Sequence, residues 1–166
     1  MGTNIHVELW SDSTQQGEEA IQAVMDEMQR INQLMSPYIP SSELSQLNSR
    51  ASDTPVPVSK ELFELIALSV ELLKAINYRH IKFDLTEHSI FFAHPNVKID
   101  LGGIAKGHAV DNGIEILKKR GIKHALVTAG GDTKLLGDRL GKPWMVGIRD
   151  PRNQDKQAVV LPLADT

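Results

Sequence analysis

Lys98-Ile99-Asp100-Leu101-Gly102-Gly103-Ile104-Ala105-Lys106-Gly107-His108-Ala109-Val110-Asp111 is the stretch whose reading decides the fold. It predicts a short apolar strand, a glycine turn, and a helix burying Ile104, Val110, Ile114, Ile116 and Leu117. Free backbone N–H groups at such a helix start form a ready anion site. Paired glycines let a phosphate approach the main chain closely. Lys106, one turn in, adds a positive charge, and Asp100 can accept hydrogen bonds or help hold a metal. Together these residues suggest a nucleotide phosphate site. They also fit a plain tight turn with Lys106 as a solvated surface charge. The spacing is neither the dinucleotide fingerprint G-x-G-x-x-G nor a P-loop, so a nucleotide bound here is bound in another fold.

A second glycine turn, Ala129-Gly130-Gly131-Asp132, follows the apolar run Lys123 to Thr128. If the two preceding strands are neighbours, both turns open on one sheet edge, a geometry that suits a pyrophosphate and a divalent cation. The alternative is two tight turns, with Asp132 as a helix cap or turn former. Tyr38, between Pro37 and Pro40, can stack on a flat ring or simply pack.

Around these turns the chain alternates helices and strands. Strands are expected at Asn4 to Trp10, Lys134 to Leu136, Trp144 to Ile148 and Ala158 to Leu161, with a hairpin joining Arg79–Asp84 to Ser89–Phe92. Ser11-Asp12-Ser13-Thr14 caps a helix from about Gln16 to Met35, carrying Ile21, Val24, Met25, Met28, Ile31 and Leu34 at helical spacing. Ser41 to Asn48 predicts a short capped helix, Thr54 to Val58 a proline-containing loop, and Lys60 to Ala75 a further helix. The helix after the first glycine turn ends at Gly121. Helices interleaved with mostly antiparallel strands make a compact α+β domain.

Composition narrows the chemistry. The 166 residues suffice for one domain with a hydrophobic core, and a net charge of −3 without a basic run gives no reason to expect nucleic acid. Without cysteine there is no thiol nucleophile, disulfide or Cys-based zinc site. The histidines lack the short i,i+4 pairing of a zinc site, and no G-x-S-x-G elbow occurs. No stretch is long and apolar enough to span a bilayer, and no signal peptide is read, because Met1-Gly2-Thr3 runs straight into a strand. Read from residues alone, the chemistry stops at a phosphate-and-cation site with an aromatic platform.

Taken in order, five blocks resemble the ApbE family of flavin transferases. They are Met1-Gly2-Thr3, then Ser36-Pro37-Tyr38 with Ser42-Glu43-Leu44-Ser45-Gln46-Leu47-Asn48, Ile99 to Gly107, Ala129-Gly130-Gly131-Asp132, and Pro143 to Ile148 continuing into Asp150-Pro151. The resemblance implies an ApbE-like (T-fold-like) α+β domain, a mixed or antiparallel sheet packed with helices. It implies Mg²⁺-dependent transfer of FMN from FAD to a threonine hydroxyl of a target protein, with release of AMP. Met1, Tyr38, Asp100 and Lys106 would contact FAD, and Gly103 would offer its carbonyl to the metal.

The chain departs from the family pattern twice. The family's Ala/Gly-Phe-Asp-x-Thr segment after the helix ending near Ala75 has no counterpart, and the chain stops at Thr166, before the later aspartate and threonine of the metal site. The expectation is therefore one ApbE-like domain over 1–166 without those parts and with no catalytic residue assigned. Both segments are expected to exist in the molecule outside these residues; the alternative is a shortened protein that no longer transfers flavin. Hydrolysis of FAD to FMN and AMP, and non-catalytic FAD binding, are the competing functions. The resemblance further implies a flavoprotein lipid-anchored at the periplasmic side of a bacterial inner membrane. Its acceptor would be a membrane redox-complex subunit with a Ser/Thr-rich flavinylation motif. The oligomeric state stays open.

Overall fold

In chain order the elements are β1 (Ile5–Leu9), α1 (Thr14–Met35), α2 (Glu43–Arg50), β2 (Val56–Pro57), α3 (Lys60–Leu72), β3 (Ile81–Asp84), β4 (Ser89–Phe92), α4 (Ala105–Lys119), β5 (Ala125–Ala129), β6 (Asp132–Leu136), β7 (Trp144–Arg149) and β8 (Gln157–Leu163). They come from a computed structural model that describes residues 3–72, 78–153 and 155–166. Every strand pairing among them is antiparallel, in three ladders ordered β1-β5-β6, β2-β4-β3 and β7-β8. The chain divides into two units. One comprises Gln29–Ala105, and the other the residues up to Met28 together with Lys106–Thr166.

In the first unit, Ser59 caps α3 by accepting the Leu62 N–H at 3.3 Å. The helix buries Leu62, Phe63, Leu65 and Ile66. Phe63 meets Phe83 of β3 edge to face, with ring centroids 5.3 Å apart. The Phe92 N–H donates to the Ala51 carbonyl at 2.6 Å, tying β4 to the end of α2. Ile90 and Phe92 are fully buried, each stabilising this core by about 1.5–3 kcal/mol.

In the second unit, α4 lies close to α1 and β5 around Gly113. A Cβ added there would meet Val24 at 3.0 Å, Val127 at 3.5 Å and Met28 at 3.6 Å. A side chain there would force Val24 to give by a few tenths of an ångström. On the β7-β8 ribbon, Trp144 is buried against Trp10, with ring centroids 5.2 Å apart.

Several expectations need correction. No strand precedes the first glycine turn, because residues 98–101 pair with no ladder. The reason is local: Asn48 takes both main-chain groups of Ile99, which would otherwise face a neighbouring strand. The two glycine turns therefore do not end neighbouring strands, and the second is the tight connection of β5 to β6. The loop Thr54 to Val58 contains β2, an edge strand where Pro57, lacking an N–H, is tolerated. Tyr78–His80 forms a 3-10 turn, so β3 starts at Ile81 rather than Arg79. Met25 is exposed, since the buried stripe of α1 runs through Ala20, Val24, Met28, Ile31 and Met35. Ile104, just before α4, and Ile116 on it are only half-buried, while Val110, Ile114 and Leu117 are in the core. The expected continuation of α3 from 73 to Ala75 lies outside the described residues.

Candidate functional site

Local hydrogen bonding in the first unit shapes a groove. After α1, the Ser36 carbonyl accepts the hydroxyls of Ser42 (2.5 Å) and Ser45 (3.1 Å), and Ser36 Oγ accepts the Tyr38 N–H at 3.2 Å. Ser42 is fully buried and doubles as the N-cap of α2, accepting the Ser45 N–H at 3.0 Å. Its own N–H donates to the Ile39 carbonyl at 3.0 Å. These bonds pin the Ser36–Pro40 loop from both ends. Tyr38 projects from it 88% exposed, and so contributes little to the core.

Across α2, Asn48 donates from Nδ2 to the Ile99 carbonyl and accepts the Ile99 N–H on Oδ1, both at 2.7 Å. Asp100 Oδ1 then accepts the Gly102 N–H at 2.8 Å, an Asx turn that bends the chain toward α4. The Leu101 carbonyl accepts from Ile104 (2.9 Å) and Ala105 (2.8 Å), which starts the helix. The result is a groove of about 750 Å³ whose lining includes Tyr38, Ser45, Asn48, Lys98 and Asp100. It combines an aromatic face, hydroxyl and amide groups, and one charge of each sign. Such a mixture suits a flat ring carrying polar and phosphate groups.

The second unit assembles a different cluster. The half-buried Lys106 runs its aliphatic stem past the β5–β6 turn, with its Cδ 3.2 Å from where a Gly130 Cβ would stand. That Cβ would also overlap Thr3 Oγ1, and Gly130 has φ of +61°, so the position demands glycine. The Gly130 N–H donates to the Asn4 carbonyl at 3.2 Å. Asp132 opens β6, and its carbonyl accepts the Thr128 hydroxyl at 2.9 Å.

Each predicted residue can now be placed. Tyr38 and Asp100 line the one groove, and Gly103 stands exposed in the turn that follows Asp100. Lys106 is beside Gly130 in the other unit. Met1 falls outside the described residues. For a divalent cation the donor set is thin: among the described residues no three His, Asp or Glu side chains gather to hold one. Asp100 and Gly103 supply a carboxylate and a backbone carbonyl, oxygen donors of the kind magnesium takes, with phosphate oxygens and water to complete its shell. A Cβ at Gly103 would meet nothing within 4 Å.

Sequence reasoning gave Asn48 and Lys98 no role. A signal was present: on α2, Ser45, Asn48 and Ser49 are spaced i, i+3, i+4, and all line the groove, while Leu44 and Leu47 are buried.

These features define an α+β domain of antiparallel ladders and helices, with an aromatic-rimmed polar groove in one unit. The chain belongs to the ApbE family, whose model matches residues 1–75 and 70–166. It is 25% identical to the FAD:protein FMN transferase of Haemophilus influenzae over 207 residues, covering 96% of this chain and 59% of that protein. The Rhodobacter capsulatus protein of the same name is 42% identical over 67 residues, 40% of this chain and 13% of the relative. The ApbE protein of Thermotoga maritima superposes with a TM-score of 0.85 at 25% identity, covering 99% of this chain and 65% of that one. This chain therefore spans less than two thirds of the length of each of these relatives.

Proposed function

We propose that the protein is an FAD:protein FMN transferase, moving FMN from FAD to a threonine hydroxyl of a target protein and releasing AMP. The observation that carries the reading is the first-unit groove, where an exposed tyrosine on a hydrogen-bonded loop and Asp100 line one cavity. Membership of the ApbE family and the names of the relatives support it. Tyr38 would stack on a ring of FAD, and Asp100 would accept hydrogen bonds from it. Lys106 would neutralise phosphate charge, and Gly103 would offer its carbonyl to magnesium. The ion, when bound, supplies further charge neutralisation at the pyrophosphate. In the transfer the threonine oxygen bonds to the FMN phosphorus, the pyrophosphate P–O bond breaks, AMP departs, and the hydroxyl proton is lost to a base not assigned here.

Support for the domain reading comes from the Haemophilus alignment, which is longer than this chain and so carries residues without a counterpart here. We read residues 1–166 as one ApbE-like domain without the family's segment after about residue 75. The acceptor proposed is a membrane redox-complex subunit with a Ser/Thr-rich flavinylation motif, and the location the periplasmic side of a bacterial inner membrane, through a lipid anchor outside these residues. Both rest on the family resemblance. Recovery of the native protein in the soluble cytoplasmic fraction would overturn the location.

The deciding experiment incubates the protein with FAD, Mg²⁺ and a peptide carrying such a motif, and reads AMP release together with peptide mass. Stoichiometric AMP and a peptide heavier by one FMN moiety are expected. Free FMN released at the same rate without peptide would replace transfer by hydrolysis, and tight FAD binding without AMP would leave a binding protein.

A further inference from the structure

We propose that Asn48 is a positioning residue for FAD, acting through Asp100 and Lys98; the assignment rests on the functional reading above. Helix α2 acts as a bracket between two walls of the groove. At its N-terminus Ser42 and Ser45 hold the Ser36 carbonyl, and with it the loop carrying Tyr38. Near its C-terminus Asn48 makes two hydrogen bonds of 2.7 Å to Ile99, occupying the amide and the carbonyl of a segment that joins no ladder. Strand-like pairing is thus supplied by one side chain. Lys98 and Asp100 flank the clamped residue, and both line the groove together with Asn48.

The geometry singles out asparagine. The pair of bonds needs a donor and an acceptor on two separate atoms at the end of a short stem, which Asn supplies; ionised Asp lacks the donor, Leu lacks both, and Ser carries both on one oxygen a bond closer to the backbone. With the clamp gone, the two charged side chains are carried on a main chain without those two bonds. A ligand must then order that segment on binding, which lowers affinity.

The test compares wild type, Asn48→Ala, Asn48→Asp, Asp100→Ala and the double variant Asn48→Ala/Asp100→Ala. Flavin fluorescence titration gives the Kd for FAD, and site-resolved amide exchange reports on residues 98–102 and, as a folding control, on β3–β4. Asn48→Ala is expected to raise exchange at 98–102 and to weaken FAD binding roughly tenfold while β3–β4 stays protected. Asn48→Asp keeps the acceptor but loses the donor and should fall between. It carries the test if the alanine variant does not fold. Because Asn48 acts in part through Asp100, adding Asn48→Ala should cost less FAD affinity in the Asp100→Ala background than in the wild type, the remainder passing through Lys98. Wild-type affinity in Asn48→Ala, or losses that simply multiply in the double variant, would overturn the assignment. Failure of the wild type to bind FAD would instead overturn the functional reading, and the assignment with it.

Discussion

The two Gly-Gly turns look alike in sequence and differ in what requires them. At Gly130-Gly131 the fold itself is the reason: φ is +61° and +105°, and a Cβ on Gly130 would overlap the Thr3 hydroxyl. At Gly102-Gly103 neither residue has a positive φ, and a Cβ on Gly103 would meet nothing within 4 Å. Gly103 is exposed with open space where a Cβ would stand, whereas a Cβ on Gly102 would press on the Asp100 carboxylate at 3.1 Å. The proposed ligand role rests with the first turn, and the architecture with the second.

Substitution should separate them. Gly130→Ala combines a left-handed conformation with a steric overlap, and is expected to cost about 2–4 kcal/mol in urea denaturation. Adding Thr3→Ala should recover part of that loss, because it removes the overlapping hydroxyl but not the backbone strain. A Gly130→Ala protein as stable as wild type would dissolve the distinction.

Tyr38→Ala tests the groove. Since the ring is 88% exposed, its loss should leave the melting temperature within error. A stacked flavin or adenine ring would lose about 1–3 kcal/mol, a roughly five- to 150-fold rise in the Kd for FAD by fluorescence titration. Gly103→Ala should change stability by less than about 0.5 kcal/mol and weaken FAD binding roughly tenfold. If it instead lost stability as Gly130→Ala does, the first turn would be architectural too.

The smallest effect concerns Glu115 on α4, away from both turns. Its hydrogen bond from Lys118 at 2.8 Å, with the positive charge of that residue, holds its carboxyl below the ordinary range. A carboxyl lowered in the folded state stabilises above its ordinary pKa, and that contribution is lost as pH falls through the lowered value. Lys118→Ala should let the Glu115 titration, followed by NMR, return toward the ordinary range. The side chain is exposed, so the melting temperature should not move measurably.

How much was legible follows from the range of each interaction. The capped starts of α1 and α2, the buried face of α3 and the strands β5 to β8 are announced by neighbours within a few residues, through period and turn chemistry. Tyr38, Asp100, Gly103 and Lys106 each had a plain structural reading as well, and it was their place in the family's ordered motifs that singled them out. The false strand before Gly102 shows where that reasoning ends. Lys98 to Leu101 has a strand's alternation, yet its backbone partner is a side chain 51 residues earlier.

What the sequence by itself determined, then, was the α+β class, the family and the candidate residues, since these rest on local pattern and motif order. Only the tertiary structure decided which glycine turn the fold requires, how the strands divide into three ladders, and that Asn48 stands in for a neighbouring strand. The reason is physical. Backbone groups must find partners, and which distant side chain or strand supplies them is settled by packing that no local window of sequence contains.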